Sequence, residues 1–148
     1  MSSLILGFGN PLRSDDAAGY QAAVVLESEL SGSNTSILAV SQLTPELADY
    51  ISRVSHVLFL DASHDGVPGE IRIEGILRDP YFQPSALTHT VTPSSLLELA
   101  MRYFHAEPDA WLLTLTGQNF ALGEEYSPPV AAAWPNYLER IRLWARSY

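Results

Sequence analysis

The chain has 148 residues, of which 47% are hydrophobic, and this predicts one packed domain over residues 1–148 and excludes a disordered protein. The absence of cysteine excludes disulfides, thiolate metal sites and a cysteine nucleophile, and the formal charge of −9 argues against nucleic-acid binding. No apolar run reaches the roughly 18 residues needed to cross a bilayer. The N-terminus also lacks a signal-peptide pattern, so we expect a cytoplasmic protein with no membrane partner.

Short apolar runs alternate with helix-like segments, which predicts an α/β protein with a mostly parallel sheet covered on both faces. The strands are predicted at residues 3–8, 36–40, 57–61, 70–74 and 111–116. The first helix is predicted from about Asp16 to Leu30. Three more helices are predicted where a hydroxyl residue that can cap a helix precedes a proline, at Thr44-Pro45, Thr92-Pro93 and Ser127-Pro128.

Local patterns predict two details of the helices. The first helix is expected to bury a face that contains Tyr20, Ala23 and Val24. Pro135 is expected to kink or break the last helix, because proline lacks the backbone N–H that a helix interior uses.

The order of the strands predicts where a ligand binds. The turn-rich segment 65–69 is short, so residues 70–74 are expected to return beside strand 57–61 as a hairpin and make the sheet mixed. With the usual 2-1-3 order, the strand order reverses between the first and third strands, and ligands bind outside their carboxyl ends. Because Asp16 follows the first strand and Asp61 ends the third, both carboxylates are expected in this crevice.

A glycine-rich turn in the segment Gly7–Gly19 joins the first strand to the first helix, as in dinucleotide-binding proteins. That interpretation is disfavoured, because Leu12 replaces the third glycine of G-x-G-x-x-G and residues 39–40 offer no acid for a ribose. Two adjacent carboxylates, Asp15 and Asp16, would also repel a pyrophosphate. The turn therefore indicates a cation or a polar substrate, with one acid capping the helix and the other available for chemistry.

His89 lies in a polar loop before the third helix and is the histidine best placed to reach the crevice. Two carboxylates and one imidazole form a mixed set that suits a divalent first-row metal with open positions. The structural alternatives are a surface role for His89 and an Asp61 that only terminates its strand. His56, His64 and His105 are weaker candidates, at a strand start, in a turn and at a helix end.

The Gly7–Gly19 segment resembles the signature of the [NiFe]-hydrogenase maturation endopeptidases, roughly G-x-G-N-x-L-x-x-D-(D/E)-x-x-G. The matching residues are Gly7, Gly9, Asn10, Leu12, Asp15, Asp16 and Gly19. The similarity covers nearly the whole chain in the family's order, continuing at residues 58–62, at 68–71, at His89 with Leu96 and Leu97, and from Gly117 to Pro128.

The resemblance implies a three-layer α/β/α fold with a twisted five-stranded sheet, and endopeptidase activity. Members of this family recognise nickel already inserted in a hydrogenase large-subunit precursor and remove the precursor's C-terminal extension. The family's metal-contacting residues correspond to Asp16, Asp61 and His89, and Asp15 corresponds to the preceding acid, which supports the turn or caps the helix. Nickel then arrives with the precursor, no resident organic cofactor is needed, and we expect a monomer. A direct general-base role of Asp16 or His89 is the alternative mechanism.

One segment departs from the family pattern. Many members carry D-G-G-T after the second strand, where this chain reads Val40-Ser-Gln-Leu-Thr-Pro-Glu-Leu47. This version is similar to the subset that serves bidirectional, NAD-linked hydrogenases, and the change concerns substrate subtype and how the scissile segment is held. Two other functions stay open: a nickel-sensing chaperone that docks the precursor without cleaving it, and an unrelated small-molecule hydrolase on a similar fold.

Overall fold

A computed structural model of the chain describes residues 2–84 and 91–148 and has a five-stranded sheet with helices on both faces, which confirms the predicted fold class. The strands are β1 (Ser3–Phe8), β2 (Thr35–Val40), β3 (His56–Ser63), β4 (Ile71–Gly75) and β5 (Asp109–Thr116). The helices are α1 (Ala18–Leu30), α2 (Leu47–Ser52), α3 (Pro93–Phe104) and α4 (Pro128–Ser147), and a 3₁₀ helix (Ser14–Ala17) precedes α1.

The strand order is β2-β1-β3-β5-β4, with β4 antiparallel to β5 and the other neighbours parallel. The predicted 2-1-3 order is confirmed, but the predicted hairpin of the third and fourth strands is wrong because β5 lies between them. Residues 57–60 of β3 are fully buried and need a paired strand on each side, whereas the mostly exposed β4 suits an edge. The connection crosses the carboxyl end of β5, where Thr116 exchanges backbone hydrogen bonds with Gly69 and Glu70 at 2.8 Å.

Each face of the sheet buries its own apolar cluster. Residues alternate between the two faces along a strand, so neighbouring residues of β3 enter opposite clusters. Side chains of α1 and α4 complete one cluster, with Leu26, Leu58, Leu113, Tyr137 and Ile141 at its centre. Side chains of α2 and α3 complete the other, around Leu6, Ile51, Phe59, Leu96 and Ala100. Within residues 2–84 and 91–148, every helix is too short or too polar to cross a membrane.

Glycine allows α1 to pack unusually close to the sheet. A Cβ atom at Gly19 would lie 2.2 Å from the carbonyl oxygen of Leu60, and one at Gly7 would lie 2.2 Å from the carbonyl oxygen of Gly19. Any side chain at these positions would therefore push the helix away from β1 and β3. The two glycines fix the height of the helix over the strands, and with it the position of the turn before α1.

The buried face of α1 differs from the predicted one. Ala23 is buried and Tyr20 is half-buried, but Val24 is 45% exposed and Leu26 is buried instead. The close approach at Gly19 explains the difference, because it turns the stripe of small residues toward the sheet and leaves the larger Val24 outside.

The later helices begin at or near the predicted caps. Thr92 caps α3, since its Oγ1 accepts the N–H of Ser95 at 3.1 Å and the Ser95 hydroxyl accepts the N–H of Thr92 at 2.8 Å. The start of α2 is delayed to Leu47 by turn hydrogen bonds that begin at Thr44. The predicted break at Pro135 is wrong: α4 runs through this exposed residue because the buried side chains before and after it hold the helix on the sheet.

Candidate active site

The turn after β1 folds back on itself to present Asp16. Gly9 has a φ of 147°, and a Cβ at this position would lie 2.1 Å from the carbonyl oxygen of Asp16, so only glycine fits. The N–H of Asn10 donates to Oδ2 of Asp16 at 2.8 Å, and the Asn10 side chain accepts the N–H of Leu12 at 2.9 Å. These contacts hold one carboxylate oxygen of Asp16 in place.

Asp15 has the opposite role from its neighbour, because its carboxylate is fully buried and surrounded by donors. It accepts the backbone N–H groups of Gln118 (2.8 Å), Asn119 (2.9 Å) and Ser127 (2.8 Å), and the Ser127 hydroxyl at 2.6 Å. Burial alone would raise the pKa of Asp15, but these hydrogen bonds, led by that of the Ser127 hydroxyl, lower the pKa below its ordinary value. Asp15 is therefore a structural acid, but it anchors the loop between β5 and α4 and neither caps α1 nor binds its own turn.

The second oxygen of Asp16 faces His64, in the connection that follows β3. Oδ1 lies 4.0 Å from Nε2 of His64, and the Asp16 side chain is 25% exposed. In contrast to Asp15, Asp16 keeps an accessible oxygen that a substrate or cation can approach.

Asp61 does not end its strand as predicted, because β3 continues for two residues to Ser63. Its Oδ1 accepts the N–H of Ala62 at 2.8 Å, so the carboxyl group does not cap the next turn. Burial raises the pKa of Asp61 to about 7; the hydrogen bond from Ala62 opposes this increase and the charge of Asp16 adds to it. The structure thus brings Asp16 and Asp61 close enough to interact at the carboxyl ends of β1 and β3.

A groove of about 760 Å³ opens beside Asp61. Asp61, Thr114 and Arg72 are register partners on three adjacent strands, β3, β5 and β4, and all three line the groove. With strands spaced about 4.8 Å apart, Arg72 stands roughly 10 Å from Asp61 across the sheet. The groove therefore extends from the acid to the edge strand of the sheet.

The third predicted site residue, His89, lies outside the described residues. In the part of the chain that the structure describes, no group of three His, Asp or Glu side chains is arranged to hold a metal ion. The predicted convergence of Asp16, Asp61 and His89 on one cation therefore stays a prediction, whereas the proximity of Asp16 and Asp61 is observed.

His64 was considered weak from the sequence, but among the described residues it is the histidine that lies beside Asp16. It follows Asp61 by three residues and belongs to the connection that starts at the carboxyl end of β3. This position could have identified His64 from the sequence, because a residue just beyond the end of a strand next to the switch point lies at the crevice, whatever the type of the following turn.

Protein-family models and curated protein sequences give no match to the chain. Several solved structures match the chain. The hydrogenase maturating endopeptidase HybD from E. coli is 26% identical, with 99% of this chain and 93% of that chain covered and a TM-score of 0.77. The [NiFe] hydrogenase maturation protease HycI from Thermococcus kodakarensis KOD1 is 23% identical over 98% and 92% of the two chains, with a TM-score of 0.79. HybD from Thermococcus kodakarensis is 22% identical over 98% and 99%, with a TM-score of 0.73.

These structures share one fold, and their names describe one class of activity, that of hydrogenase maturation proteases. The chain has the α/β fold of the HybD-like proteases. The resemblance to the hydrogenase maturation endopeptidases that the sequence motifs indicated is confirmed. The similarity to the subset for NAD-linked hydrogenases stays a prediction.

Proposed function

We propose that the chain is an endopeptidase that removes the C-terminal extension of a nickel-loaded [NiFe]-hydrogenase large-subunit precursor. The observation that carries this proposal is the pair Asp16 and Asp61 at the switch point of a fold shared with hydrogenase maturation proteases. Asp16, Asp61 and His89 contact the nickel of the bound precursor, as the sequence resemblance implies. Nickel is then part of the substrate, and a precursor without nickel lacks part of the site.

The environment of Asp61 suits a group that gives up a proton when the precursor binds. Peptide hydrolysis needs an activated water and a protonated leaving amine, and a carboxyl group with a pKa of about 7 is partly protonated near neutral pH until nickel, which binds the ionised form, approaches it. Asp16 contributes charge through an oxygen that faces His64, one of the residues that line the groove. Nickel in the precursor would polarise the scissile carbonyl or lower the pKa of a bound water.

The segment 40–47 contributes to substrate selection in this proposal. It leaves β2 beside the Gly9 turn, where the N–H of Gly9 donates to the carbonyl of Val40 at 3.3 Å. Leu43 is buried and fixes the segment to the core, while Ser41 and Gln42 are exposed. A peptide that approaches Asp16 would pass this segment, so its departure from the family pattern fits a particular precursor subtype.

The experiment is incubation of the purified protein with nickel-loaded and nickel-free precursor, followed by intact mass measurement. We expect the mass of the nickel-loaded precursor alone to fall by that of its C-terminal extension. Asp16→Asn and His89→Ala should lose this activity while the circular dichroism melt of each variant stays close to that of the wild type.

The second function, a nickel-sensing chaperone, is tested in the same experiment. Asp16 and Asp61 would serve metal recognition equally well in a protein that only docks the precursor. A stable complex with the nickel-loaded precursor and no change of its mass would support the chaperone and contradict the endopeptidase.

A further inference from the structure

The surroundings of Asp16 contain a nitrogen donor that the family resemblance does not assign. Nε2 of His64 lies 4.0 Å from Oδ1 of Asp16, and His64 lines the same groove as Asp61. A distance of 4.0 Å exceeds the roughly 3.2 Å limit of a direct hydrogen bond. It is close to the sum of two metal–donor distances of roughly 2.0 to 2.2 Å, so a single first-row ion fits between the two atoms after small side-chain rotations.

The imidazole ring of His64 is held in this orientation. It stacks on Phe120 with a centroid distance of 3.7 Å and an interplanar angle of 18°. The Ser63 hydroxyl accepts the N–H of Asp65 at 3.1 Å and donates to the Asp65 carbonyl at 3.0 Å, which fixes the turn that carries His64. Although the side chain is 64% exposed, it therefore has a defined position beside Asp16.

Asp15 supports the aromatic ring on which His64 stacks. Its carboxylate holds the N–H groups of Gln118 and Asn119, directly before Phe120. A Cβ atom at Gly117 would lie 2.6 Å from Phe120 and 2.8 Å from the Cβ of Asp15, so this loop packs tightly against the acid. The buried acid Asp15 thus positions, through Phe120, the imidazole of His64 that faces the partly exposed Asp16.

The chemistry of the two groups favours a transition metal. A carboxylate oxygen and an imidazole nitrogen together suit nickel, and Phe120 covers one ring face of His64 but leaves its Nε2 edge toward Asp16. We infer that His64 is an additional nitrogen ligand, which together with Asp16 contacts the nickel presented by the precursor. This inference rests on the proposed function for the identity of the metal, and it adds His64 to the residues that the resemblance implies.

Two substitutions separate a ligand role from a stacking role. His64→Phe keeps an aromatic ring against Phe120 but removes the nitrogen, whereas His64→Gln removes the ring and keeps a polar side chain. If His64 is a ligand, His64→Phe should bind nickel about tenfold more weakly in a calorimetric titration with nickel chloride, with an unchanged melting temperature. Wild-type affinity for nickel in His64→Phe would overturn the inference. Weaker nickel binding in His64→Gln alone would also overturn it, because the ring of His64 and not its nitrogen would then matter.

The wild-type protein offers a direct readout, because paramagnetic Ni²⁺ broadens the NMR signals of nearby protons. We expect the imidazole signals of His64 to broaden at low nickel concentration, while those of His105, which follows the last residue of α3, stay sharp. A sharp His64 signal at saturating nickel would overturn the inference. This test is independent of cleavage: broadening at His64 in a protein that never cuts the precursor would refute the endopeptidase and leave the ligand assignment intact.

Discussion

The loop anchored by Asp15 and the groove lined by Asp61 show two ways of burying a carboxyl group within one site. Asp15 is fully buried and accepts four hydrogen bonds, and its pKa is lowered. Asp61 accepts a single hydrogen bond from the next residue, and its pKa is raised to about 7. The number of donors around the carboxylate, and not burial alone, decides which acid is structural and which is available for chemistry.

Asp16 combines a feature of each of these acids. One of its oxygens is held by the N–H of Asn10, as in a structural acid, and the other faces His64. Adjacent acids of one turn therefore differ in environment, because one side chain points into the loop before α4 and the other toward His64. Substitutions of the three acids should have different effects on stability.

The largest loss of stability is expected for Asp15→Ala. It would leave three backbone N–H groups and the Ser127 hydroxyl without their acceptor, and both donors of Ser127 are buried. The free energy of unfolding should fall by about 3 to 5 kcal/mol in urea denaturation. Asp65→Ala, at an exposed acid outside this network, is the matched control and should change stability by less than about 0.5 kcal/mol.

The pH dependence of Asp15 follows from its lowered pKa. A group whose folded pKa lies below its unfolded pKa stabilises the protein above the unfolded value, and this contribution is lost as the pH falls through the folded value. Part of the acid denaturation below about pH 4 should therefore disappear in Asp15→Ala. An identical loss of stability at low pH in both proteins would show that the carboxylate is not bonded as described.

Asp61→Asn should increase the free energy of unfolding, whereas Asp15→Ala is expected to decrease it. Because the folded pKa is raised, the unfolded state binds fewer protons between about pH 4 and pH 7, so the wild type loses stability as the pH rises through this range. Asparagine stays neutral and its Oδ1 can still accept the N–H of Ala62. We expect a gain of about 1 to 3 kcal/mol near pH 8 and little change near pH 4, measured by urea denaturation. Precursor processing should be lost, so a folded, more stable and inactive protein is the expected combination.

Asp16→Asn should have the smallest effect on stability. The side chain is partly exposed and asparagine can accept the N–H of Asn10, so the free energy of unfolding should change by less than about 1 kcal/mol. Thermal melts provide the measurement, at the same pH for all variants. A loss comparable to that of Asp15→Ala would mean that both acids support the turn and that neither is reserved for chemistry.

Much of the fold could be predicted because local patterns and sheet rules agree. The apolar runs, the Thr92 cap and the 2-1-3 order together placed Asp16 and Asp61 at one switch point. The edge position of β4 could not be predicted, because a seven-residue connection can form a hairpin or cross one strand, and the pairing of β3 with β5 decides between them. The buried face of α1 depended on the contact between Gly19 and Leu60, which is tertiary.

The candidate site shows the same limit. The pair of adjacent acids predicted that one would be structural, and the family resemblance indicated Asp15, but its partners on the loop at residues 117–127 lie more than a hundred residues away in the chain. His64 was undervalued because its contact with Phe120 joins segments that lie more than fifty residues apart in the chain. Side-chain roles that depend on such distant contacts do not follow from local sequence.

The most direct test of the difference between the acids is an NMR titration of the side-chain carboxyl carbons in the metal-free protein. The account predicts that Asp61 titrates near pH 7, while Asp15 titrates below the ordinary value for aspartate. Asp61→Asn should remove the upper titration and leave the lower one. An Asp61 carboxyl that titrates near pH 4, like an exposed aspartate, would contradict the account, because the groove would then hold no carboxyl group poised for proton transfer.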